Sequence, residues 1–310
     1  ITLDGSVPDP INNPDRTYEL KGAMWIPSER TPGLRRGIDI RAGVTPKPPL
    51  THIITSYNNW SPPRTDQFKG KVIRARAYNS NNVSSEVITH TYFVDPQGFE
   101  RHSVPVIAIA VDPLDLFDYE HGIYVPGKGF HEHLPWAYHK WGSGNFHGRG
   151  RHWERPIYIE FWEPGGNLAI AQNAGLRIHG DASRGYGQKS LRILASSDYD
   201  ERDVFAHEIF PGRTVPFSNE TYNEYKAFVL RNGGNTWYHT MLKDGLLANL
   251  LHHTKIDTQY FRPAVVYING EYWGLYVLQE DYKEEYFENK HWVNKKDIVL
   301  YKGDAETYDI

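Results

Sequence analysis

The feature that most constrains the fold is a pair of apolar segments separated by Asn269-Gly270. Residues 264–268 and 272–278 are rich in valine, tyrosine and leucine, and β-branched and aromatic side chains favour strands. An Asn-Gly pair readily adopts the two positive φ angles of a two-residue hairpin turn. The sequence therefore predicts an antiparallel hairpin here, and with it a domain built around a β-sheet.

Short apolar runs recur elsewhere between clusters of glycine, proline and asparagine, as is typical of strands joined by turns. The almost continuous apolar run at 104–111 predicts a buried strand. Leucines at helical spacing predict an amphipathic helix at 241–252, and a charged segment predicts a second helix at 280–289. Residues 112–155 are predicted to form one long loop. Further strands are predicted at 157–162, 174–179, 189–194 and 225–231. The whole pattern indicates a mixed α+β domain.

Composition excludes several classes of protein. The 310 residues include 34 Lys and Arg against 38 Asp and Glu, a net charge of −4, so nucleic acid is not expected as a partner. The absence of cysteine excludes disulfides, cysteine-based zinc sites and cysteine nucleophiles, and it fits an exported bacterial protein. No stretch approaches the ~18 apolar residues of a transmembrane helix, so no membrane span is expected.

Residues 1–95 are predicted to form a separate antiparallel β-sandwich. Asp4-Gly5 predicts a tight turn, and the segments 72–78 and 84–94 predict two strands joined by a turn at 79–82. Short strands at this spacing favour a sandwich. These segments resemble the C-terminal domain of chitobiases and β-hexosaminidases, an immunoglobulin-like module of secreted bacterial proteins. The resemblance implies that the module is N-terminally truncated, since the first strands of that family have no counterpart here.

Three aromatic residues of this module allow two interpretations. Trp25, Tyr57 and Trp60 could stack on sugar rings, which would make the module a carbohydrate binder. Alternatively, they pack within long loops or against the following domain, as bulky rings commonly do. We favour packing and predict that the module is a spacer.

Four segments, in this order, resemble the CotH family of atypical protein kinases, named for a spore-coat protein. The second runs from Gly175 through Gly180, Ser183 and Arg184 to Lys189-Ser190, and the third is Leu230–Asn235. The complete set covers 104–124, 175–191, 230–235 and 269–280. The resemblance extends over residues 104–302. It implies a kinase-like α+β domain at 104–310 that is incomplete at its C-terminal end. Pro96-Gln97-Gly98 interrupts the strand pattern before it and predicts a linker at 96–103.

The resemblance implies that ATP and Mg²⁺ are the cofactors. Gly180, Ser183, Arg184 and Lys189 would bind the nucleotide, because a glycine-rich connection exposes backbone N–H groups and two cations neutralise phosphate. The alternative is an ordinary hairpin with solvated cations. Glu280 is the candidate catalytic residue, pairing with Lys189 as kinases pair a strand lysine with a helix glutamate. Its alternative is an acid stabilised by a helix N-terminus.

The chain departs from the family pattern at two charged positions. Gln188 stands where the family has a lysine, and Lys283 stands where it has an aspartate. The metal-binding and catalytic aspartates of the family are expected beyond Ile310, and Asp304 and Asp309 lie in no matching motif. We therefore predict that this chain alone is inactive and assign it no metal ligand.

A cluster of histidines in the predicted loop also allows two interpretations. The cluster could bind zinc or copper, but its spacing is irregular and tryptophans interrupt it, which favours a packed loop. Its members are His131, Glu132, His133, His139, His147 and His152.

Together these features predict a secreted or cell-surface CotH-like kinase that phosphorylates hydroxyl residues on surface proteins in the intact protein. Its expected partners are a protein substrate or a surface-layer protein, with carbohydrate as a further possibility. The alternative is a non-catalytic surface scaffold that keeps the kinase-like fold, and the changes at Gln188 and Lys283 motivate it.

Overall fold

The computed structural model describes residues 1–26, 29–32, 66–137 and 143–300, with residues 29–32 and 66 described by their backbone. Its strands are β1 (Glu29–Pro32), β2 (Asp66–Lys69), β3 (Lys71–Ala75), β4 (Ile88–Tyr92), β5 (Val106–Ala110), β6 (Arg155–Trp162), β7 (Leu168–His179), β8 (Ser190–Leu194), β9 (Phe205–Ala206), β10 (Glu224–Tyr225), β11 (Ala227–Arg231), β12 (Phe261–Ile268) and β13 (Glu271–Glu280). Its α-helices are α1 (Pro113–Phe117), α2 (Gly127–His131), α3 (Lys243–Leu250) and α4 (Glu284–His291).

Seven strands close into a barrel in the order β11-β13-β12-β5-β6-β7-β8. Neighbouring strands are antiparallel except β12 and β5, which are parallel. The inward side chains alternate with outward ones, so that Leu191 and Ile193 of β8 are fully buried while Arg192 between them is partly exposed. The apolar interior that results is the main core of the molecule.

The predicted hairpin is confirmed as β12 and β13. Asn269 and Gly270 have φ angles of 50° and 79°. The buried Asn269 amide accepts a hydrogen bond from Val111 N at 2.8 Å and donates to Val111 O at 2.7 Å and to Asp4 O at 2.8 Å. The turn therefore also anchors the end of β5 and the start of the chain.

The other predicted strands of residues 104–231 are confirmed as β5, β6, β7, β8 and the consecutive strands β10 and β11. The long loop predicted at 112–155 is wrong in part, because it contains α1 and α2. Helix α1 forms because Asp112 accepts a hydrogen bond from Leu114 N at 2.9 Å and Pro113 occupies the first helical turn.

The two longer helices differ from their predictions, α3 in its packing and α4 in the residue at which it begins. Helix α3 lies within the predicted 241–252, but it contacts the barrel through Gly245, where an added Cβ would lie 2.5 Å from the Phe261 ring. The leucines predicted to be its buried face are exposed: Leu246, Leu247, Leu250 and Leu251. Helix α4 begins at Glu284 and not at Glu280, because pairing of Glu280 with Phe228 extends strand β13. Among the described residues, no helix is long and apolar enough to cross a bilayer.

The described part of residues 1–95 forms two strand pairs, β1–β2 and β3–β4. Two packed sheets are not present in this described part, so the immunoglobulin-like sandwich stays a prediction; residues 33–65 lie outside the description. The pairs consist of strands of only four or five residues. Short two-stranded pairs have little stability alone and need a further layer to pack on.

That further layer is the barrel, which residues 1–95 contact through buried polar groups. Lys69 Nζ lies 2.9 Å from Glu271 Oε2, and both side chains are fully buried. Thr91 N donates to Glu160 Oε2 at 2.7 Å, which ties β4 to β6. These contacts join the two predicted domains, and the boundary at 96–103 stays a prediction.

Candidate functional site

The glycine-rich connection between β7 and β8 is a compact turn. Residues Ala182–Gly185 form one turn of 3₁₀ helix. Gly180 has a φ of 107°, and an added Cβ there would lie 2.5 Å from Ser183 Oγ. Glycine is therefore needed at this position, both for its backbone conformation and for the close approach of Ser183.

The structure brings Arg184 into this turn as predicted, but its guanidinium is buried. Arg184 donates to Gly180 O at 2.6 Å and to Phe146 O and Gly148 O, each at 3.1 Å. Burial, and then the charge of Arg149, lower the pKa of Arg184 to about 10. The side chain therefore links the connection to residues 146–148 and is not presented to solvent.

Lys189 has the same kind of environment and is fully buried. Its Nζ donates to Arg184 O at 2.6 Å and to Tyr186 O at 2.8 Å, and it lies 3.9 Å from the centre of the Phe146 ring. Burial, and then the charge of Arg184, lower the pKa of Lys189 well below its usual value. Both predicted phosphate-binding cations are thus committed to backbone carbonyls.

Gln188, where the resemblance implies a lysine, is also a structural residue. Its Nε2 donates to Leu275 O at 3.0 Å, and its Oε1 accepts from Trp237 Nε1 at 2.9 Å. An amide can do both, whereas a lysine has no acceptor. Asn232 is fully buried and donates to Gln188 O at 2.6 Å, as expected for a residue that stabilises the fold.

Glu280 pairs with Arg213 and not with Lys189, so the predicted Lys189–Glu280 pair is wrong. Both members of the observed pair are almost fully buried, and Glu280 also accepts from Tyr260 N at 2.9 Å. The Arg213 guanidinium lies 4.0 Å from the centre of the Tyr222 ring. Burial opposes the charge on Arg213, but the Glu280 carboxylate outweighs it and raises the pKa of Arg213.

A cavity of about 330 Å³ lies beside this pair, between the ends of β8, β11 and β13 and helix α4. Five cationic and four acidic side chains line it, together with three tyrosines. We call it the polar cleft, and these residues define it: Arg192, Asp203, Arg213, Tyr222, Tyr225, Lys226, Glu280, Asp281, Lys283, Glu285, Tyr286 and Lys295. Charged and phenolic side chains thus form most of its wall.

A second ion pair joins two strands at the polar cleft. Arg192 of β8 donates from Nε to Asp281 Oδ2 at 2.7 Å, and its Nη2 lies 2.5 Å from the same oxygen. Burial raises the pKa of Asp281, and Arg192 opposes that rise. The arrangement joins strand β8 to the residue that directly follows β13.

Lys283 is the one cleft cation without a hydrogen bond or salt bridge to a described residue. Its positive charge nevertheless acts on Asp281 and opposes the rise of that residue's pKa. The lysine is exposed and immediately precedes α4, where the positive end of the helix dipole disfavours a cation. Lys283 thus adds an exposed positive charge to the polar cleft.

The sequence alone did not point to Arg192, Arg213 or Asp281. One feature of the sequence could have indicated Arg192: it stands between two apolar residues of a strand, so its side chain must face outward. Its partner depends on the strand order β8-β11-β13, which no local pattern specifies.

The acids of the polar cleft do not form a metal site. Asp281 and Glu280 are each paired with an arginine. In the described part of the chain, no group of three or more His, Asp or Glu side chains is placed to hold a metal ion.

The predicted histidine cluster shows aromatic contacts instead. His147 lies 4.9 Å from Phe146, and Trp136 lies 4.6 Å from Trp153, measured between ring centres. His139 lies outside the described residues.

Comparison with known families finds one match. Residues 176–309 match the family model described as CotH kinase protein. This segment is less than half of the chain, and it contains the glycine-rich connection and every residue of the polar cleft. No curated protein matches the chain.

Proposed function

We propose that the chain has a CotH-like, kinase-related function in which the polar cleft receives the phosphates of ATP. The observation that carries the proposal is the cleft itself, which lies wholly within the matched segment and combines the Arg192–Asp281 pair with the exposed Lys283. Phosphoryl transfer depends mainly on positioning and neutralising phosphate charge, and arginine and lysine supply that charge.

The glycine-rich connection has a supporting role in this proposal. Arg184 and Lys189 hold backbone carbonyls, and Gly180 and Ser183 form the tight turn that lets them do so. These four residues position the start of β8, and β8 presents Arg192 to the polar cleft. They therefore act on the nucleotide through Arg192 and not by direct contact.

The wider function follows from the family resemblance. It is the Mg²⁺-dependent phosphorylation of hydroxyl residues on surface proteins, outside the cell or at its surface, with a substrate or surface-layer protein as partner. The described acids of the cleft are paired with cations and do not fit a Mg²⁺ site. We therefore assign this part of the chain nucleotide binding and not the transfer step. We also propose that residues 1–95 form a chitobiase-like module that precedes the kinase-like domain.

Lys283→Ala should weaken ATP binding about tenfold, because it removes an exposed cation from the cleft. Isothermal calorimetry of ATP, with and without Mg²⁺, measures the change. Lys296→Ala is the matched control, since Lys296 is also exposed but lies outside the cleft lining. Equal affinities of the two variants and the wild type would contradict the assignment of the cleft.

A non-catalytic scaffold is the second candidate function. The observation that favours it is that Arg184, Lys189, Arg192 and Arg213 all have partners within the protein. No ATP binding by the wild-type protein, with or without Mg²⁺, would support it.

Carbohydrate binding by the N-terminal residues rests on Trp25, which is 87% exposed. Tyr57 and Trp60 lie outside the described residues. Retention of the protein on a glycan affinity gel, lost in Trp25→Ala, would be needed to sustain it.

A further inference from the structure

Two large aromatic side chains meet on the surface of the molecule, and the contact buries little of either ring. Phe217 is 92% exposed and Trp292 is 70% exposed. Their ring centres lie 6.2 Å apart, and the ring planes are almost perpendicular, at 89°. We call these two rings the aromatic pair. Because aromatic rings normally gain stability by burial, packing alone does not explain why they stand here.

Both residues of the aromatic pair have a backbone conformation that disfavours bulky side chains. The φ angle is 59° at Phe217 and 55° at Trp292. Glycine, asparagine and aspartate are the usual residues in this left-handed region, and an aromatic residue there is strained. Residues in strained conformations cluster at active sites and ligand-binding sites. The strain and the exposure together indicate that the pair has a role outside the packing of the fold.

Phe217 lies at the tip of a hairpin whose base lines the polar cleft. Tyr222 N donates to Arg213 O at 2.9 Å at the base of the hairpin, and Val215 N donates to Glu220 O at 2.8 Å nearer the tip. Arg213 and Tyr222 both line the cleft. The hairpin therefore extends from the wall of the cleft to Phe217.

Trp292 is connected to the polar cleft through helix α4. It directly follows α4, and Trp292 N donates to Glu288 O at 2.9 Å. The cleft residues Asn289 and Lys295 stand before and after it in the chain. Asn289 Nδ2 donates to Tyr222 OH at 2.6 Å, which joins α4 to the hairpin at the cleft. The aromatic pair thus lies beyond this contact, at the edge of the polar cleft.

We propose that the aromatic pair is the subsite for the base of the nucleotide whose phosphates the polar cleft receives. A nucleobase is flat and stacks on exposed aromatic rings, while the cations of the cleft attract the phosphates attached to it. The inference rests on the proposed nucleotide-binding function of the cleft. It adds the contact that distinguishes a nucleotide from other polyphosphates.

Isothermal calorimetry of the whole chain with ATP and with inorganic tripolyphosphate, each in the presence of Mg²⁺, tests the proposal. We expect ATP to bind about tenfold more tightly than tripolyphosphate, because only ATP has a base that can stack. Equal affinities would overturn the base subsite and leave the cleft as a phosphate site. Binding of neither compound would overturn the subsite together with the proposed function.

Variants of the two rings locate the base. Phe217→Ala and Trp292→Ala should each weaken ATP binding about tenfold and leave tripolyphosphate binding unchanged. Because both side chains are exposed, these variants are expected to fold normally. Trp292→Phe keeps an aromatic ring and should retain most of the affinity for ATP.

Trp25→Ala is the matched control, since Trp25 is also an exposed tryptophan but lies outside the cleft lining. It should bind both compounds like the wild type. Unchanged ATP affinity in Phe217→Ala and Trp292→Ala would overturn the location of the base. An equal loss of ATP and tripolyphosphate binding would also overturn it, because the rings would then act on the phosphate site.

Discussion

Lys189→Ala is expected to lower the free energy of unfolding by about 3 kcal/mol. The substitution leaves the carbonyls of Arg184 and Tyr186 without their donor and opens a cavity beside Phe146. Relief of the cost of burying an amine offsets part of this loss, since burial already disfavours the charged form of Lys189. Chemical unfolding, monitored by tryptophan fluorescence, measures the change.

Two further variants separate this structural role from phosphate binding. Lys189→Met keeps most of the volume but not the donor, so its loss should be about half that of alanine. The exposed Lys296→Ala should stay within about 0.5 kcal/mol of the wild type. A Lys189→Ala variant that is as stable as the wild type but fails to bind ATP would show that Lys189 contacts phosphate directly.

Glu280→Ala should cost about 3–5 kcal/mol of stability, because it leaves the Arg213 guanidinium buried without its counter-charge. It also removes the acceptor of Tyr260 N, which holds the chain at the entry to β12. The same chemical unfolding experiment reports the change.

Glu280→Gln should cost less than Glu280→Ala, since an amide oxygen can still accept from Tyr260 N and Arg213. The exposed pair Arg151–Asp198 provides the reference for an ion pair in water, and Arg151→Ala should leave stability unchanged. If Glu280→Ala were as stable as Arg151→Ala, the buried Arg213–Glu280 pair would not stabilise the fold.

Local sequence patterns predicted the elements of the barrel well. The Asn269-Gly270 turn and the apolar runs of β5 to β8 are each recognisable from a few consecutive residues. The hairpin and these strands were therefore predicted at their observed positions. The closure of the barrel was not predicted, because it depends on pairing between β8 and β11 and on the parallel pair β12–β5, which are far apart in sequence. The predicted packing of α3 is wrong, because the helix contacts the barrel through Gly245 and not through the leucines that dominate its sequence.

The candidate site was predicted in part. The motif grouping Gly180, Ser183, Arg184 and Lys189 does form one compact unit. Sequence could not show that its cations are buried, because burial is set by residues 146–148, which approach from another part of the chain. Glu280 was singled out from the sequence, but its partner Arg213 lies 67 residues earlier in the chain and has no motif of its own.

The central claim, that the polar cleft and not the glycine-rich connection receives the nucleotide, is tested most directly by photocrosslinking. Irradiation with an ATP analogue that carries an aryl azide on its γ-phosphate, in the presence of Mg²⁺, followed by mass spectrometry of the digested protein, identifies the segments that contact the phosphate end of the nucleotide. We predict label on peptides containing Tyr222, Tyr225 or Tyr286, reduced by excess ATP and reduced in Lys283→Ala but not in Lys296→Ala. Label confined to residues 180–189, or no label that ATP can displace, would contradict the claim.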